Sequence, residues 1–344
     1  MSVQDQLDRF AADGVRRSQC YDEDYQQLWL ALADATRSGK RFRPALMLAA
    51  YDAYGGRDGE VAARLAAALE LLHTALLIHD DVIDGDLVRR GSLNVSGTFV
   101  ARAAARGASP QERTTVGVAA GVLAGDLALV GASHGVALCG ADAETTRRLL
   151  DLLTDAVHAS AAGELADVAM SVARDGDVGA LADVITVEEH KTAVYSFQLP
   201  LQSGAVLAGA PDRAVEGLGE VGRLAGIGFQ LVDDLHGVFG DESRTGKSSL
   251  SDLREGKMTP LIAHARSTSA WAQIDPYLGD RTLDEERAQI VRGLLVDCGS
   301  RDFVERLADS YVSASLRAAE ESGLAPGLIS ELSRLTERIM GSAA

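Results

Sequence analysis

The sequence is poor in cysteine, aromatic residues and positive charge. Its three cysteines, Cys20, Cys139 and Cys298, lie far apart and form no Cys-x-x-Cys pair. That excludes a disulfide framework and a zinc site, and it fits a reducing cytoplasm. Aromatics make up 5% of the chain, so alanine and leucine, both strong helix formers, dominate the apolar set. Against 50 acidic residues stand 33 lysines and arginines, a formal charge of −17. Such a balance excludes non-specific nucleic-acid binding, although a local basic cluster can still hold an anion. Alternating runs of β-branched residues are missing as well, which speaks against a sheet. The polar, charged start MSVQDQLDRFAADGVRR does not read as a signal peptide.

What is present is helical. Hydrophobic residues reach 47% over 344 positions, enough for a large core. They recur at three- and four-residue spacing in VAARLAAALELLHTALLIHDD and in VGRLAGIGFQLVDDLHGVFGD. The fold class is therefore all-α, read as one helical domain over 1–344, although the length would allow two. Breaks are expected at residues 89–99, 106–113, 173–180 and 240–260. The run at 115–141 is apolar enough to span a membrane, but Asp126 near its middle would cost about 2.5–3.5 kcal/mol there. Its Gly and Ala content predicts closely packed buried core helices and no transmembrane segment.

Two helices end in acids. On a wheel of 100° per residue, Asp80 and Asp84 share a face, with Asp81 at its edge and Leu77 and His73 continuing the stripe. Asp233 and Asp234 follow a second apolar run, with Gln230 and Gly226 on the side of Asp233. Facing each other, two such helices would make a greasy pocket with an anionic mouth suited to Mg2+, a hard ion bound by carboxylates and substrate phosphates. Acidic helix ends are also commonly solvated surface, and spacing alone leaves both readings open.

Phosphate would require basic residues, and they cluster: Lys40, Arg41 and Arg43 in SGKRFRP, Arg89 and Arg90, Lys191 in HKTAVYSF, Lys247 in TGKSS and Lys257 in REGKMTP. Three other motif readings fail or weaken on spacing. GDESRTGKSS has five residues, not four, between Gly240 and Gly246-Lys247, so it is no nucleotide P-loop. DDVIDGD puts Val82 and Gly91 where a calcium loop needs ligands. His79-Asp80 hints at a helical phosphohydrolase, but His79 lies on another face from Asp80.

Together these stretches resemble the trans-prenyltransferases, the isoprenyl diphosphate synthases. HDDVIDGDLVRRG looks like their first aspartate-rich motif, and GFQLVDD followed by FGD looks like the second. GKRFRP, HKTAVYSF and TGKSSLSDLREGK match in kind and in order, over residues 39 to 260. The resemblance implies antiparallel helices around a central cavity, a homodimer, and Mg2+-dependent condensation of isopentenyl diphosphate with an allylic diphosphate. It implies three Mg2+ per active site, held by Asp80, Asp84 and Asp233 with Asp81 and Asp234 beside them. Arg89, Lys191 and Lys257 would contact the allylic diphosphate, and Lys40, Arg43, His73 and Arg90 the isopentenyl diphosphate. Lys247 would help close the site, while Thr192, Tyr195 and Gln230 would line the reacting carbons.

Three positions depart from the family pattern: Gly237 replaces a third aspartate, Ser38 a glycine and Glu164 a glutamine. In the family, a bulky residue five places before the first aspartate shortens the product. Here Ala75 and Leu76 stand at that level, so the resemblance implies geranylgeranyl diphosphate or longer, with the floor near Leu123 to Leu129. A class I terpene cyclase and a non-catalytic partner of another synthase are the alternatives. The cyclase needs no second diphosphate site, and the partner rests on Gly237.

Overall fold

The computed structural model describes residues 2–37, 39–172, 180–240, 249–324 and 327–334. Helices α1 (Val3–Ser18), α2 (Glu23–Arg37), α3 (Phe42–Ala53) and α4 (Gly59–Asp84) come first. A hairpin of two-residue strands, β1 (Val88–Arg89) and β2 (Ser92–Leu93), pairs Val88 with Leu93. Then come α5 (Val95–Ala105), α6 (Pro110–Ala137), α7 (Ala143–Val172) and α8 (Leu181–Glu188). A π-helical segment (Glu189–Gln198) leads into α9 (Leu199–Leu207) and α10 (Asp212–Phe239). Further helices are α11 (Ser251–Glu255), α12 (Pro260–Arg266), α13 (Trp271–Ile274), α14 (Glu285–Asp297) and α15 (Ser300–Glu321). The all-α expectation holds, with the small hairpin (Val88–Leu93) overlapping the start of the predicted break at 89–99. By their contacts the residues group into two compact units, Met1–Leu153 with Ser203–Ala210 and Thr154–Gln202 with Pro211–Ala344.

In the first unit α4 is bounded by its own sequence. Asp58 caps it by accepting from the backbone N–H of Glu60 and Val61 at 3.0 and 3.1 Å. Gly85 ends it in the left-handed conformation (φ 75°), which suits glycine at a helix C-terminus. The buried face of α6 is built of small residues, Gly117, Ala120, Gly121, Ala124, Gly125 and Ala128. A Cβ on Gly121 would lie 2.2 Å from Val82, and one on Gly125 would lie 2.2 Å from the His79 ring. Helices α4 and α6 therefore touch almost backbone to side chain, and that contact fixes the end of α4 that carries the aspartates.

Residues 115–141 were expected to be buried core helices. Most of them form a single helix, and only one face of it is buried. Val116, Val118, Val122, Leu123 and Val130 are exposed, Val130 at 68%. Both α4 and α6 are long and apolar enough to cross a membrane, but 72% of the apolar window of α4 is packed inside the protein, against 39% for α6.

In the second unit the π-helical segment is pressed from two sides by glycines. A Cβ on Gly163 of α7 would sit 2.4 Å from the Lys191 backbone nitrogen. On α10, Cβ atoms at Gly222 and Gly226 would sit 2.7 Å from Gln198 Cα and 2.6 Å from Ala193 Cα. Backbone cannot yield as a side-chain tip can, so a methyl group here must push the helices apart. Gly163→Ala is expected to cost about 1–3 kcal/mol of stability, read as a lower urea midpoint with an unchanged slope. An unchanged midpoint would show that the helices can separate freely.

Candidate active site

At the end of α4 the wheel reading is realised in three dimensions. Asp80 and Asp84, with Leu77 and His73 before them, are half-buried, whereas Ala75 and Ile78 face the core. Ligand oxygens of Asp80 and Asp84 come within 4.8 Å of each other. Two oxygens one turn apart, neither sealed nor fully solvated, fit a hard divalent cation that keeps several waters. One residue on, a further 100° of rotation turns Asp81 inward, where it is 4% exposed. Burial pushes its carboxyl up to about 6 even though Arg89 lies against it.

Arg89 answers the crowding of acids. The hairpin brings it back over the helix end, where its Nε donates to Asp81 Oδ1 at 2.5 Å and its Nη2 to Asp80 Oδ2 at 3.2 Å. Asp86 Oδ2 stands at 3.9 Å from the same nitrogen. A single guanidinium thus offsets several carboxylates.

The predicted isopentenyl diphosphate residues gather on the same unit. Lys40 is exposed, Arg43 is 6% exposed with its guanidinium over the Phe42 ring, and Arg90 lies in a left-handed turn (φ 54°). His73 is held well below its ordinary pKa, first by burial and then by Arg43, Arg90, Arg89 and Arg41. It is therefore neutral at pH 7 and keeps one ring N–H to donate.

On the second unit, Lys191, Thr192 and Tyr195 all stand on the π-helical segment, a geometry that often marks functional sites. Lys191 Nζ donates to Asp167 at 2.7 Å and to Glu164 at 3.2 Å. The unexplained Glu164 is thus a second counter-charge on this lysine. Lys257 Nζ lies 3.1 Å from Glu255. Lys247 and Ser38 lie outside the described residues.

Asp233 is half-buried, while Asp234 is turned inward, 5% exposed. There Gln230 Nε2 donates to Asp234 Oδ1 at 2.8 Å. Its other neighbour is Glu188, also buried. Burial first, then Asp234, drives the Glu188 carboxyl well above its ordinary value, and burial raises Asp234 to about 7. Two acceptors facing each other in a dry interior require a shared proton. Glu188 carried no motif signal in the sequence.

The polyprenyl synthetase family matches residues 26–294 of the chain. The chain belongs to that family. The geranylfarnesyl diphosphate synthase of Aeropyrum pernix is 33% identical over 278 residues, covering 80% of each chain. The geranylgeranyl diphosphate synthase of Methanosarcina mazei is 32% identical over 282 residues, 82% of this chain and 78% of that one. The structure of geranylgeranyl pyrophosphate synthase from Corynebacterium glutamicum, complexed with isoprenyl diphosphate and magnesium, superposes with a TM-score of 0.90. The two are 28% identical, over 98% of this chain and 97% of that one.

Against the polyprenyl synthetase pattern, Gly237 now has a local cause. A Cβ at this position would fall 1.8 Å from Asp252 Oδ2. A carboxylate from α11 already fills the space that a third aspartate on α10 would claim. Four lysines exist in the whole chain, Lys40, Lys191, Lys247 and Lys257, and every one lies in a family motif. The other permanently charged basic residues are arginines, so the lysines are confined to the stretches on which the resemblance rests.

The Glu188–Asp234 pair makes a pH prediction. Its raised carboxyls keep protons in the folded protein that the unfolded chain has already lost, so stability falls as pH rises from about 4 toward 7. In metal-free protein, Glu188→Gln should raise the urea midpoint at pH 8, with the gain shrinking toward pH 5. Equal midpoints at both pH values would rule out the shared proton.

Proposed function

We propose that the two units work as one catalytic domain, a trans-prenyltransferase that condenses isopentenyl diphosphate with an allylic diphosphate to give geranylgeranyl diphosphate. The observation that carries this reading is the Asp80–Asp84 oxygen pair beside a cluster of arginines, in a chain of the polyprenyl synthetase family. Asp80 and Asp84 would hold Mg2+ on the allylic diphosphate and Asp233 a further ion, three in all. Bound there, the ions supply positive charge to the departing diphosphate.

The chain's own residues do the rest. Arg89, Lys191 and Lys257 hold the allylic diphosphate oxygens, and Lys247 helps close the site. Lys40, Arg43, Arg90 and neutral His73 hold isopentenyl diphosphate, so the second substrate is fixed before ionisation. Cleavage of the allylic C–O bond leaves a carbocation faced by Thr192, Tyr195 and Gln230. The alkene of isopentenyl diphosphate attacks it, a C–C bond forms, and the proton lost passes to the departed diphosphate. No protein base is needed. Asp81 and Asp234, both buried, support the ligand helices through Arg89 and through Gln230 and Glu188. A terpene cyclase would have no use for the second diphosphate residues.

Product length is set, in this reading, at Ala75 and Leu76. Ala75 is fully buried among Leu28, Trp29, Leu32, Phe99 and the alanines of α6. Leu127 and Leu129 pack against the same cluster, whereas Leu123 points outward, 54% exposed. Small side chains near the aspartates and large ones beyond them suit a long but bounded chain. The exposed apolar face of α6 is proposed to seat a second copy of the chain, making a homodimer, and light scattering in solution should return twice the 36.1 kDa of one chain. The cysteine pattern supports a cytoplasmic location.

The deciding experiment incubates the protein with Mg2+, farnesyl diphosphate and labelled isopentenyl diphosphate and sizes the products. A ladder ending at twenty carbons is expected. Asp80→Ala should lower the rate by about a thousandfold or more with the fold intact. Ala75→Phe should shorten the product by one five-carbon unit. A cyclised hydrocarbon without incorporated label would sink the proposal.

A further inference from the structure

The loop that carries Lys40 is tied down by a residue pair assigned no role so far. Arg41 takes the left-handed conformation (φ 53°), which a residue with a side chain adopts only when its surroundings hold it there. Its own side chain supplies the hold. Nη1 donates to Glu70 Oε1 at 2.8 Å, while Nη2 donates to the Thr36 carbonyl and, at 3.1 Å, to Gln4 Oε1. One guanidinium therefore joins α1, the end of α2 and α4. Its Glu70 partner is 2% exposed.

The placement of the pair gives it a use. Arg41 directly follows Lys40 and stands two residues before Arg43. Glu70 precedes His73 by one turn on α4. The pair thus locks the segment bearing two of the proposed diphosphate ligands onto the helix bearing the third. Gly39 supplies the positive φ (135°) with which the chain turns past the carboxylate. A Cβ there would lie 3.4 Å from Glu70 Oε1 and 3.8 Å from an Arg90 nitrogen. Glu70 Oε2 is buried without a hydrogen-bond partner. A buried anion so poorly satisfied is retained where neighbouring cations need it.

We propose that Arg41 and Glu70 are positioning residues for the isopentenyl diphosphate subsite. The pair sets the spacing of Lys40, Arg43 and His73 around that substrate's diphosphate and touches no reacting atom. This rests on the function proposed above. Lysine cannot replace Arg41, because a single ammonium on a flexible stem does not reproduce a planar fork with three fixed acceptors.

The test compares Arg41→Lys, Glu70→Gln and the double variant with wild type. The KM for isopentenyl diphosphate should rise about tenfold in each, while kcat and the allylic KM stay within about twofold, the pattern of lost ground-state binding. The double variant should be about as impaired as the worse single one, because both break one link. Calorimetry should show isopentenyl diphosphate binding metal-free protein about tenfold more weakly in the variants. Equal rises in both KM values, or a loss that merely tracks a lowered Tm, would reduce the pair to a structural role and overturn the inference. Unchanged binding would overturn it too, with the function intact. If wild type binds no isopentenyl diphosphate, the proposed function falls and this inference falls with it.

Discussion

A carboxylate taken out of water must be neutralised, and much of this structure follows from how that is done. At the end of α4 the answer is a guanidinium: the hairpin returns Arg89 onto Asp81 and Asp80. At the end of α10 burial raises the inward carboxyl, and the answer is a proton held between Glu188 and Asp234. In both helices the inward aspartate is neutralised within the protein, while its neighbour stays half-buried. The doubled aspartates thus differ in burial through a 100° rotation.

Close packing keeps that division in register. Gly121 and Gly125 let α6 approach α4 beside His79 and Val82, just before the aspartates. Gly163, Gly222 and Gly226 do the same for the segment bearing Lys191. A chain this rich in alanine and glycine adds close helix approach to its buried leucines. Those short distances between helices place the charged groups.

Much of this was legible in the sequence. The 3.6-residue period named the helices, and the wheel put Asp80 and Asp84 on one face and Asp81 at its edge. The motifs named the family. What stayed hidden depended on contacts between segments distant in the chain. Glu70 and Glu188 look like ordinary helix acids until Arg41 and Asp234 are seen against them. Gly237 read as a missing ligand, because nothing local shows that Asp252 occupies its space. The outward face of α6 was read as core, since an apolar run does not say which side of a helix meets protein. The four lysines of the chain, all of them in the motifs, carry a signal of the same kind.

The π-helical segment from Glu189 to Gln198 gives the second unit a property that contact inventories miss. A π-turn is an α-turn with a residue to spare, so the segment acts as a phase shifter between Glu188 on one side and Leu199 on the other. Deleting a single residue within it could restore an ordinary helix with its hydrogen bonds complete. Everything beyond would then be rotated by about 100° relative to everything before. The number of residues in these ten positions is thus constrained independently of which side chains they carry.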